Sequence, residues 1–177
     1  MKWHVVARVG EADDYVPPGP FDVSPLLVPF QASGAPHPMR EHVLDGIRHS
    51  CDHVPGAGAV DLLHFAMSVY AADMLIPRST ARDGWTREDL LHLPVADTGE
   101  WENAREILER GISFLTGDCW SLSFRELAEE EDVELPVADA HDQLEIDAVV
   151  LCSGGLDSLA GAIAHAADGA RIALVGH

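Results

Sequence analysis

The sequence predicts an α/β chain: an amino-terminal α+β domain over residues 1–140, followed over 141–177 by the first β-α-β unit of a parallel sheet that is incomplete at its carboxyl end. Three observations carry that expectation. From Ile146 the β-branched run "IDAVVLC" breaks into "SGGLDS", continues as the small-residue helix pattern "LAGAIAHAA" and returns to the apolar run "ARIALVGH". Residues 57–76, "AGAVDLLHFAMSVYAADMLI", hold helical spacing over five turns' worth of mostly apolar chain. "KWHVVARV" and "CWSLSF" alternate, which is how a strand with one face on a core reads.

In chain order, "KWHVVARV" places Trp3, Val5, Ala7 and Val9 on one face, and the turn formers of "ADDYVPPGPFDVSP" make the next stretch a loop. A helix is expected over about 38–54. In the helix over 57–76, Asp61, His64 and Ser68 fall on one side, which reads as the solvent side, while Asp73 falls toward the presumed core. A core-facing carboxylate needs a partner, and Arg78, Arg82 and Arg87 follow closely, so a structural Asp–Arg pair is expected. "LLHLPVAD" reads as a short strand, with Thr86 as the alternative cap of a helix beginning at "TREDLL". Asp97 and Glu100 form a capping box for a helix whose core stripe is Trp101, Ala104, Leu108, Ile112 and Leu115, ending at Gly117. Trp120, Leu122 and Phe124 then face a core. The acidic stretch "ELAEEEDVE" precedes the domain boundary, placed near residue 140.

Charge narrows the function classes. The 177 residues carry 11 bases against 30 acids, a net −19, and Lys2 is the only lysine. Such a surface repels nucleic-acid phosphates and anionic lipid, so neither nucleic-acid wrapping nor membrane binding is expected. The amino terminus shows no basic segment leading into an apolar run, and Cys51, Cys119 and Cys152 stand apart with no CxxC pair. A cytoplasmic protein with free thiols is the expectation.

The glycine-rich turn carries the chemistry. Gly154 and Gly155 let backbone N–H groups approach an anion, the helix that follows adds its first-turn donors, and the Ser153 and Ser158 hydroxyls stand beside them. A polyphosphate fits such a cradle, and Asp157, the one acid in the loop, can share a Mg²⁺ with it. A Walker A loop is excluded because no lysine follows the last glycine, and the hydrolase elbow because Ser158 lacks flanking glycines. "GAGAVD" at 56–61 lacks the third glycine of a dinucleotide fingerprint. "HSCDH" puts His49, Cys51 and His53 two apart with His42 nearby, a spacing poorly suited to one metal ion. His165 reads as a surface or packing histidine.

"SGGLDS" after a buried strand resembles the S-G-G-x-D-S signature of the PP-loop ATP pyrophosphatase superfamily. "YAADMLIPR", "WTREDLLHLPV" and "SFLTGDCWSLSF" ahead of "LCSGGLDSLAG" resemble, more loosely, the QueC-like (7-cyano-7-deazaguanine synthase-like) proteins of Qat-type anti-phage defence systems. That resemblance implies ATP and Mg²⁺ as cofactors, with Ser153, Gly154, Gly155, Leu156, Asp157 and Ser158 holding ATP and Asp157 the Mg²⁺ ligand. It implies an ATP-dependent ligase that adenylates a carboxylate like that of 7-carboxy-7-deazaguanine for amide or nitrile formation, with other proteins of a defence operon as partners. The cysteine cluster that binds zinc in QueC proteins has no counterpart here, so zinc is not implied, and no catalytic residue is assigned. The expected chain is the front part of a longer enzyme, inactive alone. The alternatives are a partner-binding module with a vestigial or split loop, and another PP-loop amide ligase.

Overall fold

The computed structural model describes residues 1–30, 55–127 and 146–176. They divide between two compact units, 1–30 with 55–127 in the first and 146–176 in the second. The expected helix over 38–54, the "HSCDH" group, the acidic stretch from residue 128 and the boundary near residue 140 lie outside the described residues.

The first unit is built on a four-stranded sheet in the order β2-β1-β3-β4, with β1 Lys2–Val9, β2 Leu26–Phe30, β3 Glu88–Val95 and β4 Cys119–Glu126. Every neighbouring pair is parallel. Helix α1 (Ala57–Leu75) lies between β2 and β3 in sequence, and α2 (Thr98–Thr116) between β3 and β4. The α+β expectation for this domain is therefore corrected to α/β. Parallel neighbours need crossovers: a helix lies in those from β2 to β3 and from β3 to β4, while residues 10–25 join β1 to β2 without one. The sequence reading overlooked "LLVPF", which is β2, and the alternative helix at Thr86 is replaced by β3.

One sheet face carries Val5, Ala7, Val9, Val28, Leu91 and Leu122, and onto it pack Phe65 and Ala72 of α1 and Ile112 of α2. Asp97 caps α2 by accepting from the Glu100 N–H at 3.0 Å, and Gly117 ends it at φ +75°, as its position in the sequence requires. Leu115, placed on the core stripe by spacing, is exposed.

Helix α1 is turned the other way from its sequence reading. Asp61, His64 and Ser68 are buried, whereas the Asp73 side chain is 45 % exposed. Each inward polar group has a local use. The Asp61 carboxylate accepts the Ala96 N–H at 2.9 Å, the Ser68 hydroxyl donates to the His64 carbonyl at 2.7 Å, and the His64 ring lies against Phe30 with centroids 4.4 Å apart.

Asp61 is needed because β1 and β3 part company at their carboxyl ends. Their pairing runs from Lys2↔Glu88 only to Val6↔His92, while β3·β4 continues to Val95↔Glu126. Continued by two residues, the register would set Arg8 opposite Pro94, which has no N–H to give the Ala7 carbonyl. Arg125 replaces it, donating to that carbonyl at 2.9 Å. The Val9 N–H turns instead to the Asp13 carboxylate at 2.9 Å, and Asp13 and Arg125 pair at 2.5 Å.

At the opposite edge Arg87, almost wholly buried, ties three elements together. Its guanidinium donates to the Ala72, Asp73 and Ile76 carbonyls at the end of α1, to Asp73 at 2.5 Å and to Asp118, just before β4, at 2.5 Å. Burial opposes its charge, yet the bonds to Asp118 and Asp73 outweigh burial and raise its pKa; the same bonds hold Asp118 below the usual carboxylate range against its own burial. The expected Asp–Arg pair on Asp73 is present, with Arg78 at 3.4 Å as a second partner. Replacing Arg87 by Met takes the guanidinium away from the buried Asp118, which keeps Arg78 and the backbone N–H of residue 87, and from the Asp73 and Ile76 carbonyls at the helix end. An expected loss of about 3–5 kcal/mol in urea unfolding follows; a loss under about 1 kcal/mol would contradict the role.

Asp89 is 1 % exposed and neither carboxylate oxygen has a hydrogen-bond partner among the described residues. Burial pushes its pKa up to about 6, with Arg87 opposing. His92 on the other sheet face moves the opposite way: burial, then the nearby His4, push its pKa down to about 4. The raised Asp89 favours folding below pH 3.8 and loses that contribution as pH rises through about 6. The depressed His92 favours folding above pH 6.5 and loses its contribution as pH falls toward about 4. The two oppose each other over one window, so variants separate them. Asp89→Asn is expected to stabilise the protein by about 1–3 kcal/mol at neutral pH, with the gain fading toward pH 4. A gain independent of pH in chemical denaturation would contradict the assignment.

Candidate functional site

In the second unit β5 (Ala148–Leu151) runs parallel to β6 (Ile172–Val175), in register from Ala148↔Ile172 to Leu151↔Val175, with helix α3 (Leu156–Ala167) between them. This is the strand, turn, helix, strand order expected from the sequence. The β-branched and leucine residues give the strands, the alanine-rich stretch gives the helix, and Gly169 at φ +85° lets the chain turn back toward β6.

The "SGGLDS" loop leaves the carboxyl end of β5, the position where ligands sit in parallel α/β units. Gly154 has φ +76°, a conformation that side chains with a Cβ rarely adopt. Gly155 is the N-cap of α3, in extended conformation, and no side chain caps the helix. The first-turn N–H groups thus keep the positive end of the helix available to an anion. Nothing lies within 4 Å of where a Cβ on Gly154 would stand, so the approach to the loop backbone is open.

The structure brings Ser153, Gly154, Gly155, Leu156, Asp157 and Ser158 together as one turn. Ser153 and the two glycines are exposed, Leu156 is the first helical residue with its side chain in solvent, and Asp157 stands exposed in the first turn. Ser158 differs from its sequence reading as a free donor: its hydroxyl donates to the Gly155 carbonyl at 2.9 Å and braces the turn from within. His165 is exposed in the last turn of α3, away from the loop. Arg171 pairs with Asp147 at 3.3 Å at the amino ends of β5 and β6, the far side of the unit from the loop.

Gly176 is a contributor that spacing did not single out. The Cys152 N–H donates to the Val175 carbonyl at 2.7 Å, and a Cβ on Gly176 would stand 2.8 Å from the Cys152 carbonyl oxygen. Only a glycine lets β6 end this close to the start of the loop. The signal lay in "LVGH", a glycine at the carboxyl end of an apolar run.

The first unit has the equivalent position filled by its own side chains. Its strand order reverses between β1 and β3, and there Asp13 and Arg125 occupy the gap, with the Arg125 guanidinium 4.5 Å over the Tyr15 ring. Beside them the His4 and His92 rings meet at 3.1 Å and the Tyr15 hydroxyl reaches His92 at 3.3 Å. Burial, then Lys2, lower the His4 pKa, with Asp22 opposing. Two neutral imidazoles sharing one proton are the consistent state. The sequence offered one clue to this group, the proline inside "LLHLPV".

Among the described residues no three His, Cys, Asp or Glu side chains gather to hold a metal ion, and no helix is long and apolar enough to cross a membrane. No family model, curated protein or solved structure matches the chain.

Gly176→Ala is expected to push β6 from the loop and destabilise the second unit by about 1–3 kcal/mol, the range for a forced contact in a fixed backbone. Faster amide exchange at Cys152 and Val175 than at β1–β3 amides reads the effect; unchanged exchange at Cys152 would contradict it.

Proposed function

We propose that residues 153–158 bind the polyphosphate of ATP and that the chain belongs to an ATP-dependent ligase of the QueC-like, PP-loop type. The observation that carries this is the "SGGLDS" turn itself, at the carboxyl end of a parallel strand, with Gly154 at positive φ and an uncapped helix start behind it. Loop N–H groups and the helix start meet the phosphate oxygens, while Asp157, exposed in the first turn, is the residue to hold Mg²⁺ against them. Gly154 keeps the backbone accessible and Ser158 holds the turn in shape. ATP supplies an AMP leaving group, which makes a carboxylate an acceptor for a nitrogen nucleophile. The acceptor in view is a carboxylate resembling 7-carboxy-7-deazaguanine, within an anti-phage defence system, and the setting is cytoplasmic.

The described residues of the second unit leave much apolar surface in water. Leu151 is 75 % exposed, and Val149 and Leu174 are also largely exposed, although parallel sheets normally bury both faces. Turnover therefore needs further polypeptide packed on this unit, and this chain by itself is expected to bind nucleotide without completing a reaction.

Titration of the chain with a fluorescent ATP analogue is expected to show saturable, Mg²⁺-dependent binding, weakened about tenfold by Asp157→Asn and lost in Gly154→Val. Equal affinity with and without Mg²⁺, or an unaltered Gly154→Val, would contradict the site. Pyrophosphate exchange into ATP, stimulated by 7-carboxy-7-deazaguanine once the sheet is completed, tests the substrate class; stimulation only by another carboxylic acid would favour a different amide ligase.

A further inference from the structure

We infer that Glu109 and Ser113 of α2 close the outer edge of β4 against pairing with a second copy of the chain. Among the described residues β4 is one margin of the first unit's sheet. The Cys119 N–H donates to the Arg87 carbonyl at 2.8 Å and the Leu127 N–H to the Val95 carbonyl at 3.0 Å, so the odd-numbered residues of this strand turn their backbone bonds to β3. Trp120, Leu122 and Phe124 therefore turn theirs outward, where an edge strand offers donors and acceptors to any other strand.

Two of those donors are already taken, and by side chains. The Trp120 N–H donates to the Ser113 hydroxyl at 3.2 Å and the Leu122 N–H to Glu109 at 2.8 Å. Neighbouring turns of α2 continue the contact in both directions along the strand. The Thr116 hydroxyl accepts from the Trp120 ring N–H at 2.9 Å, and at the other end Arg105 and Trp101 lie against the Phe124 ring, the guanidinium 5.5 Å and the indole 5.4 Å from its centroid. One stripe of the helix, Trp101, Arg105, Glu109 and Ser113 at every fourth position, thus runs along the margin of β4.

The strand itself explains why the margin is closed. Residues 119–124, "CWSLSF", contain no charge, no proline and no glycine, and set aromatic and aliphatic side chains in alternation. A short uncharged segment of that kind pairs readily with an identical one. The net charge of −19 resists association of copies in general, yet none of it lies in this run.

The opposite margin is closed by other means. The Gly10 N–H donates to the Phe30 carbonyl at 3.1 Å, so β2 turns Phe30 toward β1 and turns Leu27 and Pro29 outward. Pro29 has no N–H to offer an incoming strand. A proline does at β2 what two side chains of α2 do at β4.

Hydrogen exchange and sedimentation of the whole chain test this. The Trp120 and Leu122 amides of the wild type are expected to exchange slowly at every protein concentration. In Glu109→Ala/Ser113→Ala they are expected to exchange about fivefold or more faster in dilute solution, and to regain protection as concentration and sedimentation coefficient rise together. Glu109→Gln keeps an oxygen for the Leu122 N–H while losing the charge, so it is expected to behave as the wild type. Should the double variant lose its native circular dichroism, Glu109→Ala alone is read in the same way at Leu122. Exchange unchanged from the wild type in the alanine variants would overturn the proposal. So would amides that stay fast at all concentrations, with or without association, or association of Glu109→Gln equal to that of the alanine variants, which would make charge rather than the hydrogen bond the barrier.

Discussion

The first unit depends on one buried cation. Helix α1 ends with no basic residue in its last turn, so its terminal carbonyls need donors from elsewhere in the chain. Arg87 supplies them, and a guanidinium can do so because its donors fan out in a fixed plane: one edge meets the helix end while the other meets Asp118. A lysine could satisfy the charge but not both geometries. The Arg87 N–H also donates to Asp118 at 2.9 Å, so β3 begins, α1 ends and β4 begins around a single side chain. Burial of such a group is costly, and the short bonds to two carboxylates are what offset the cost. Asp89, two residues along, has no hydrogen-bond partner among the described residues, and burial raises its pKa against the attraction of Arg87.

At the other edge the deciding residue is one that cannot make a bond. Pro94 removes a rung between β1 and β3, and three side chains from three different segments take over the released groups: Arg125 at the Ala7 carbonyl, Asp13 at the Val9 N–H and Asp61 at the Ala96 N–H. This explains why an aspartate can point inward from α1. Periodicity placed Asp61, His64 and Ser68 on the wet side because it weighs a side chain by type, whereas here the sheet edge needed a buried acceptor more than another methyl group. The exposed apolar side of α1 is the same inversion seen from outside.

Legibility followed the range of the forces involved. Elements set by local rules were readable: the N-cap at Asp97, the positive-φ glycine at Gly117, the alternation in β4 and the order of β5, α3 and β6. What depended on distant partners was not. Strand β2 is short and contains a proline, and nothing local marks that it will pair with β1. Parallel pairing throughout the first unit is a property of connections, so alternating strands alone suggested α+β. At the candidate site the loop residues were legible as a glycine-rich turn between a strand and a helix, but the Ser158 bond back to Gly155 and the close approach of Gly176 to Cys152 needed coordinates.

Electrostatics joins the proposed site to the rest of the sequence. No lysine or arginine occurs between Glu126 and Ala170, and Arg171 is held by Asp147 at the end of the second unit opposite the loop. Among the described residues of this unit the nearest side-chain charge to the cradle is Asp157, which is negative. Backbone N–H groups and the helix start contribute about half a unit of positive charge, far less than a triphosphate carries. Within this unit a nucleotide can be held only if it arrives with its own cation or if a base reaches the loop from outside the described residues. A carboxylate in the first turn suits the former, since an acid that would repel bare phosphate becomes an attractive partner once a divalent ion stands between them. The placement of the few arginines in a −19 chain is thus what makes Mg²⁺ dependence the expected signature of the proposed site.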